Sequence, residues 1–212
     1  MAATAAGSAV AMPPETVQGF GPASTVGLLS LCPLLAGSTS LLSALTMSAA
    51  FACVLCASAV SLSACRRLIA PDAELASILI FAAAWTTVVD LLLQAGLYPL
   101  RDALGIYVPV MAGNFLLLAH LEEKALTAGP LAALRVSFST GMRVAVIVVA
   151  AGVLRELSAT GALLSDAQLP GWQGGVAFLP FKLPVMASAA GAFFALSILA
   201  AMLNRFRPGQ AD

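Results

Sequence analysis

The chain has 212 residues, of which 60% are hydrophobic and 9% charged, with a mean hydropathy of +0.98. That leaves too little polar surface to cover a water-soluble globule, so the composition is that of an integral membrane protein. Ten basic residues balance ten acidic ones, which excludes a nucleic-acid partner, whose phosphates require clustered Lys and Arg.

Residues 1–23 read as a small-residue, Pro-containing tail, and the absence of Lys and Arg from the first 65 residues removes the basic n-region of a secretory signal. A hydrocarbon slab about 30 Å thick needs about 20 helical residues. The apolar runs then predict six transmembrane segments, 24–40, 42–64, 75–95, 104–119, 135–157 and 184–204. The first and fourth are short and share a phrase: CPLLAGS from Cys32 and VPVMAGN from Val108, in the frame Pro-x-x-Ala-Gly-(Ser/Asn), offset by 109 − 33 = 76 residues. Pro removes a backbone donor and Gly loosens the helix, so both segments are predicted to be half-helices. Unpaired backbone is excluded from lipid, which sends them to the interior of the bundle.

Three segments per copy is an odd number, so the second copy enters from the opposite leaflet. The predicted fold is therefore all-α, with six segments arranged as a 3+3 inverted repeat and the two phrases meeting near mid-membrane. Its single transmembrane domain covers 24–205, as repeat one (24–97) and repeat two (98–205), followed by a C-terminal tail, 206–212. Arg66, Arg67, Lys124, Arg135, Arg205 and Arg207 fall on the side of the N-terminus, against Arg101, Lys182 and the span-terminal Arg155 on the other. This excess predicts that both termini are cytoplasmic. The loop from Ser158 to Leu183, rich in Gly and Pro, is the longest polar connection and is expected outside.

Among chemistry-bearing residues, the four cysteines (Cys32, Cys53, Cys56 and Cys65) lie within or beside apolar runs, where buried thiols serve as packing residues. Cys53-x-x-Cys56 has the spacing of a redox or metal motif, but no second pair or nearby histidine accompanies it. Asp90, past the middle of the third segment, is an ion-coupling candidate, because a carboxylate at that depth must be paired, neutral or wet. Its structural alternative is a hydrogen-bonded carboxyl near the interface. Arg143 is a second intramembrane charge, expected to snorkel toward the cytoplasmic face rather than to pair with Asp90. His120, Glu122 and Glu123 point to different helix faces and read as a solvated loop start rather than a metal site. There are no paired axial histidines for haem and no Gly-rich nucleotide fingerprint.

The strings LCPLLA (31–36), TTVVDLLLQA (86–95), LGIYVP (104–109), VLREL (153–157) and GAFF (191–194) resemble the E subunit of Rnf complexes and its relative, the D subunit of the sodium-pumping NADH:quinone oxidoreductase. The resemblance runs through about residues 25–205 in the same order. It implies a membrane subunit of an ion-translocating ferredoxin:NAD oxidoreductase complex in the bacterial inner membrane. There it pairs with a homologous A-type sister subunit of opposite orientation, alongside B, C, D and G types that handle NAD, ferredoxin and flavin. It also implies an intramembrane [2Fe-2S] cluster shared by the two sisters, each supplying one cysteine from each half-helix.

The first of those cysteines falls on Cys32. The second, which directly follows an asparagine in the family pattern, falls on Phe115 after Asn114, and a phenyl ring is no iron ligand. The cluster then has three cysteines and another ligand, or has been lost or moved. Glu122 matches a family glutamate and is the second ion-coupling candidate, with a possible role in anchoring the half-helix end. The alternative function is a small inverted-repeat transporter or channel subunit without redox chemistry.

Overall fold

The computed structural model of the chain describes residues 30–163, 176–177 and 188–205. The predicted tails, 1–23 and 206–212, lie outside these residues. In chain order the elements are α1 (Cys32–Gly37), α2 (Leu41–Cys65), a 3-10 turn (Pro71–Ala73), α3 (Glu74–Gly96), α4 (Tyr98–Leu104), α5 (Tyr107–Val110), a second 3-10 turn (Met111–Gly113), α6 (Phe115–His120), a π-turn (Leu121–Ala125), α7 (Pro130–Thr160) and α8 (Ala189–Arg205). A two-residue antiparallel pair, β1 (Ala162–Leu163) with β2 (Val176–Ala177), sits within the long connection between α7 and α8.

Among the described residues three helices are long and apolar enough to cross a bilayer, α2, α3 and α7, and their ends follow local rules. Ser40, in an extended conformation, opens α2, with its Oγ accepting from Ser43 N at 3.2 Å. α7 begins with Pro130 in its first turn, where no donor is lost, and ends where Gly161 turns left-handed at φ 71°. It extends beyond its predicted bounds at both ends, because hydropathy alone misses the polar turns these signals still hold in the helix.

α2 and α7 form the central seam. Gly141 of α7 lies against Ala52 of α2 and Gly152 against Ala44, so the pairing runs antiparallel. A Cβ on Gly152 would come within 2.5 Å of the Ala44 Cβ; small residues let the backbones approach where water supplies no driving force. Ala44, Phe51, Val54, Leu55 and Leu62 of α2 are buried with Val144, Val148 and Ala151 of α7, at helical spacing.

The outer helices flank this seam. α3 packs on α2, where Trp85 Nε1 donates to Ser61 Oγ at 2.9 Å, and on the broken stretch α5 to α6; α8 packs on α7 and on α1. The outer face of α3 is apolar and exposed, with Leu92 at 66%, as a lipid or protein-covered surface requires.

Candidate functional site

Each predicted half-helix is broken where its phrase says it should be. Pro33 stands in the first turn of α1, and the helix stops after Gly37. There Ser38 turns its Oγ back to the Leu35 carbonyl at 2.9 Å, so a side-chain bond replaces a helical one. The second copy divides at Asn114, whose extended backbone separates the 3-10 turn from α6 and whose Oδ1 accepts from Leu116 N at 2.9 Å.

The two broken segments lie side by side and run antiparallel. Asn114 Nδ2 donates to the Ser30 carbonyl at 2.8 Å, joining the chain just before Phe115 to the chain just before Cys32. Gly37 faces Tyr107, where an added Cβ would lie 3.1 Å from the tyrosine Cβ and Cγ. The ring that precedes the second phrase thus leaves little room for a side chain at the glycine of the first.

A broken helix leaves carbonyls at one end and amides at the other, and here two adjacent residues of α7 take both. Arg155, 1% exposed, donates through Nη1 to the carbonyls of Leu35 at 2.5 Å and Ser38 at 2.8 Å, and through Nη2 to that of Ser188 at 3.0 Å. Glu156, 2% exposed, accepts from Leu41 N at 2.8 Å. The cation lies on the carbonyl end of α1 and the anion on the amide end of α2, as helix-end charges favour. Arg155 is thus no exposed span terminus but the interior clamp of the first break. A second arginine clamp lies at the other end of the seam, where Arg66 Nη1 donates to the carbonyls of Ala128 at 3.0 Å and Thr127 at 3.4 Å, and Ser63 Oγ to Ala128 at 2.6 Å, tying the end of α2 to the connection that precedes α7.

The other predicted residues are placed as follows. Cys32 is half-buried in a shallow apolar groove shared with Leu35, Ala36, Ala192, Phe193 and Leu196. Phe115, 45% exposed, opens α6. Cys53 is exposed and Cys56 and Cys65 are half-buried, so none of the four thiols has the full burial expected of a core packing residue. The Asp90 carboxylate is held by Arg101, Nε to Oδ1 at 3.0 Å and Nη2 to Oδ2 at 3.2 Å, and by Gln94 Nε2 at 2.8 Å. These bonds push the Arg101 guanidinium above its already high ordinary pKa. Glu122 is exposed on the π-turn, and His120 Nε2 shares a hydrogen bond with Ser137 Oγ at 3.0 Å.

Among the described residues, no three His, Cys, Asp or Glu side chains come together to hold a metal ion. Cys32 offers a thiol, whereas Phe115, where the resemblance places the second cysteine, offers an aromatic ring, so these two residues do not make a two-cysteine half-site.

Residues 23–200 match the family described as Rnf-Nqr subunit, membrane protein. The chain belongs to the Rnf-Nqr family. This Rnf-Nqr protein is 35% identical over 201 residues, 88% of its own length and 81% of the relative's, to the E subunit of the ion-translocating oxidoreductase complex from Pseudomonas paraeruginosa. It is 34% identical to the Rhodobacter capsulatus protein of the same name, over 67% of this chain and 58% of that one. It is also 28% identical to the E subunit of the Na(+)-translocating ferredoxin:NAD(+) oxidoreductase complex from Acetobacterium woodii, over 84% of this chain and 87% of that one. As a family member with three bilayer-length apolar helices it is a multi-pass membrane protein.

Proposed function

We propose that this chain is the E-type membrane subunit of an ion-translocating, electron-transporting complex of the Rnf kind, without activity of its own. The meeting of the two broken segments, through Asn114 and Ser30 and through Gly37 and Tyr107, carries the proposal. Such breaks in a bilayer protein bound a site that can be exposed to either side in turn.

A 3+3 inverted repeat, 24–97 with 98–205, is supported by the way the contacts pair. α2 packs on α3 as α7 packs on α8, and α1 packs on α8 as the second broken stretch packs on α3. With Arg155 withdrawn from the loops, the Lys and Arg count becomes six against two, which favours cytoplasmic termini in a bacterial inner membrane.

In this reading the sister A-type subunit lies against the groove that holds Cys32, and the B, C, D and G types carry nucleotide, ferredoxin and flavin. A [2Fe-2S] cluster shared with the sister would draw Cys32, and not position 115, from this side. Of the ion-coupling candidates, Glu122 is exposed and open to a cation directly, whereas a cation at Asp90 has to displace Arg101. Phe115 favours the second reading, an inverted-repeat transporter or channel subunit without redox chemistry.

The two separate in one preparation. The intact complex, isolated from its own membranes, is assayed for iron, for a low-temperature EPR signal and for ion uptake driven by electron transfer. Redox-driven uptake that is lost in Cys32→Ala supports the proposal. Uptake indifferent to the electron donor, in a preparation without iron at the sister interface, would overturn it.

A further inference from the structure

The outer face of α7 carries a charge at a depth where lipid does not accept one. Because Gly141 abuts Ala52, and Ala52 lies near the middle of α2 (Leu41–Cys65), the seam fixes the depth of every α7 residue. Arg143 is two residues beyond that level, about 3 Å further from the Arg66 end. A slab about 30 Å thick puts either surface some 15 Å from its middle, and a three-methylene stem is far shorter than that, so the expected snorkelling toward the Arg66 side fails on geometry.

Arg143 is exposed, and among the described residues it has no hydrogen bond or ion pair. It does not stand alone on its face. Arg135, Ser139 and Arg143 follow at intervals of four residues, all exposed, one above another on the helix. Phe138 and Met142, 58% and 52% exposed, flank this row with large apolar side chains. A polar row bordered by exposed aromatic and thioether groups is the pattern of a helix face that packs on protein.

We propose that this face of α7 is the docking surface for a transmembrane helix of a neighbouring subunit that carries an Asp or Glu at the depth of Arg143. The inference rests on the reading of this chain as one subunit of a membrane complex, and charge complementarity selects the occupant. A guanidinium withdrawn from water is tolerated where a carboxylate meets it in bidentate fashion. Ser139, one turn away, offers a hydroxyl to the same helix, and Arg135 sits about 12 Å from Arg143 along α7, toward the interface.

The test places p-benzoylphenylalanine at Met142 of the full-length chain in its native membranes. Irradiation is expected to join it to one other subunit, on a transmembrane helix with an acidic residue within a turn of the attachment point. Arg143→Glu should then lower recovery of that subunit with this chain by about tenfold or more, Arg143→Lys should largely preserve it, and reversing the acidic residue to Arg should rescue Arg143→Glu. An adduct with lipid alone, with a second copy of this chain or with a helix lacking an acid overturns the proposal, as does unchanged recovery in Arg143→Glu. Should the intact complex be isolated while Met142 labels lipid, only the docking surface is refuted; a chain that is isolated without any companion refutes the complex as well.

Discussion

Arg155 shows how one side chain makes a broken helix tolerable inside a bilayer. Removing it takes the donor from the buried Ser38 carbonyl and one of the donors from that of Leu35, which keeps its bonds from Ser38, and hydrogen bonds to charged groups contribute about 1.5–3 kcal/mol each, although those between membrane helices average nearer 0.6 kcal/mol. Arg155→Leu is therefore expected to cost about 2–3 kcal/mol, read as a lower thermal midpoint in detergent. Arg155→Lys should restore part of that, since an ammonium keeps the charge and loses the fork that spans two carbonyls. The sequence marks this residue only through the string VLREL, because which carbonyls it reaches depends on the register between helices more than a hundred residues apart. Asp90 differs: Arg101 lies eleven residues on, which a continuous helix would carry about 16 Å away along its axis, so the two meet only because the chain bends at Leu97 (φ −137°, ψ 48°) between α3 and α4, a bend that hydropathy does not mark. Charge reversal at both positions, Asp90→Arg with Arg101→Asp, should recover stability lost in either single variant, measured by thermal unfolding; no recovery would mean that the pair does not hold α4 to α3.

At the scale of elements, hydropathy placed α2 and α3 within a residue of their observed ends, since each is a continuous apolar run with a polar or glycine stop. The short segments were legible as breaks from Pro33, Gly37, Pro109 and Gly113, because both residue types act locally on the backbone. What no local signal discloses is which glycines serve close packing. Gly152 meets Ala44 and the Ser40 carbonyl, whereas Gly96, at the end of α3, has nothing within 4 Å. Gly152→Ala is thus expected to destabilise the fold by about 1–3 kcal/mol through overpacking of the seam. Gly96→Ala should be neutral or mildly stabilising, as alanine is the better helix former. Parallel thermal scans check both, and equal effects at the two positions would refute the close approach of α2 and α7.

At the scale of the molecule, the two arginine clamps make a topological statement. Arg66 reaches Thr127 and Ala128, so the α2–α3 connection and the one preceding α7 share a side of the membrane, while the Arg155 clamp lies at the opposite end of the seam. Reporter fusions after Arg67 and within 126–129 should both give cytoplasmic signals, and one within 98–103 a signal from the other side; a split between the first two would remove the inverted repeat. The same symmetry sharpens the question of Phe115. The Asn114–Ser30 hydrogen bond joins the two phrases one residue before Phe115 and two before Cys32, and Phe115 is 45% exposed at the first turn of α6, so a smaller side chain there leaves the core intact. Phe115→Cys is therefore expected to add a second thiol at the start of α6 without loss of thermal stability. If the companion subunit retains its own pair, the purified variant complex should carry more iron than the wild type, with an EPR signal that disappears when Cys32→Ala is combined with it. Iron absent from both the wild-type and the Phe115→Cys complex would mean that the companion has lost its ligands too, and the transporter reading would then displace the redox one.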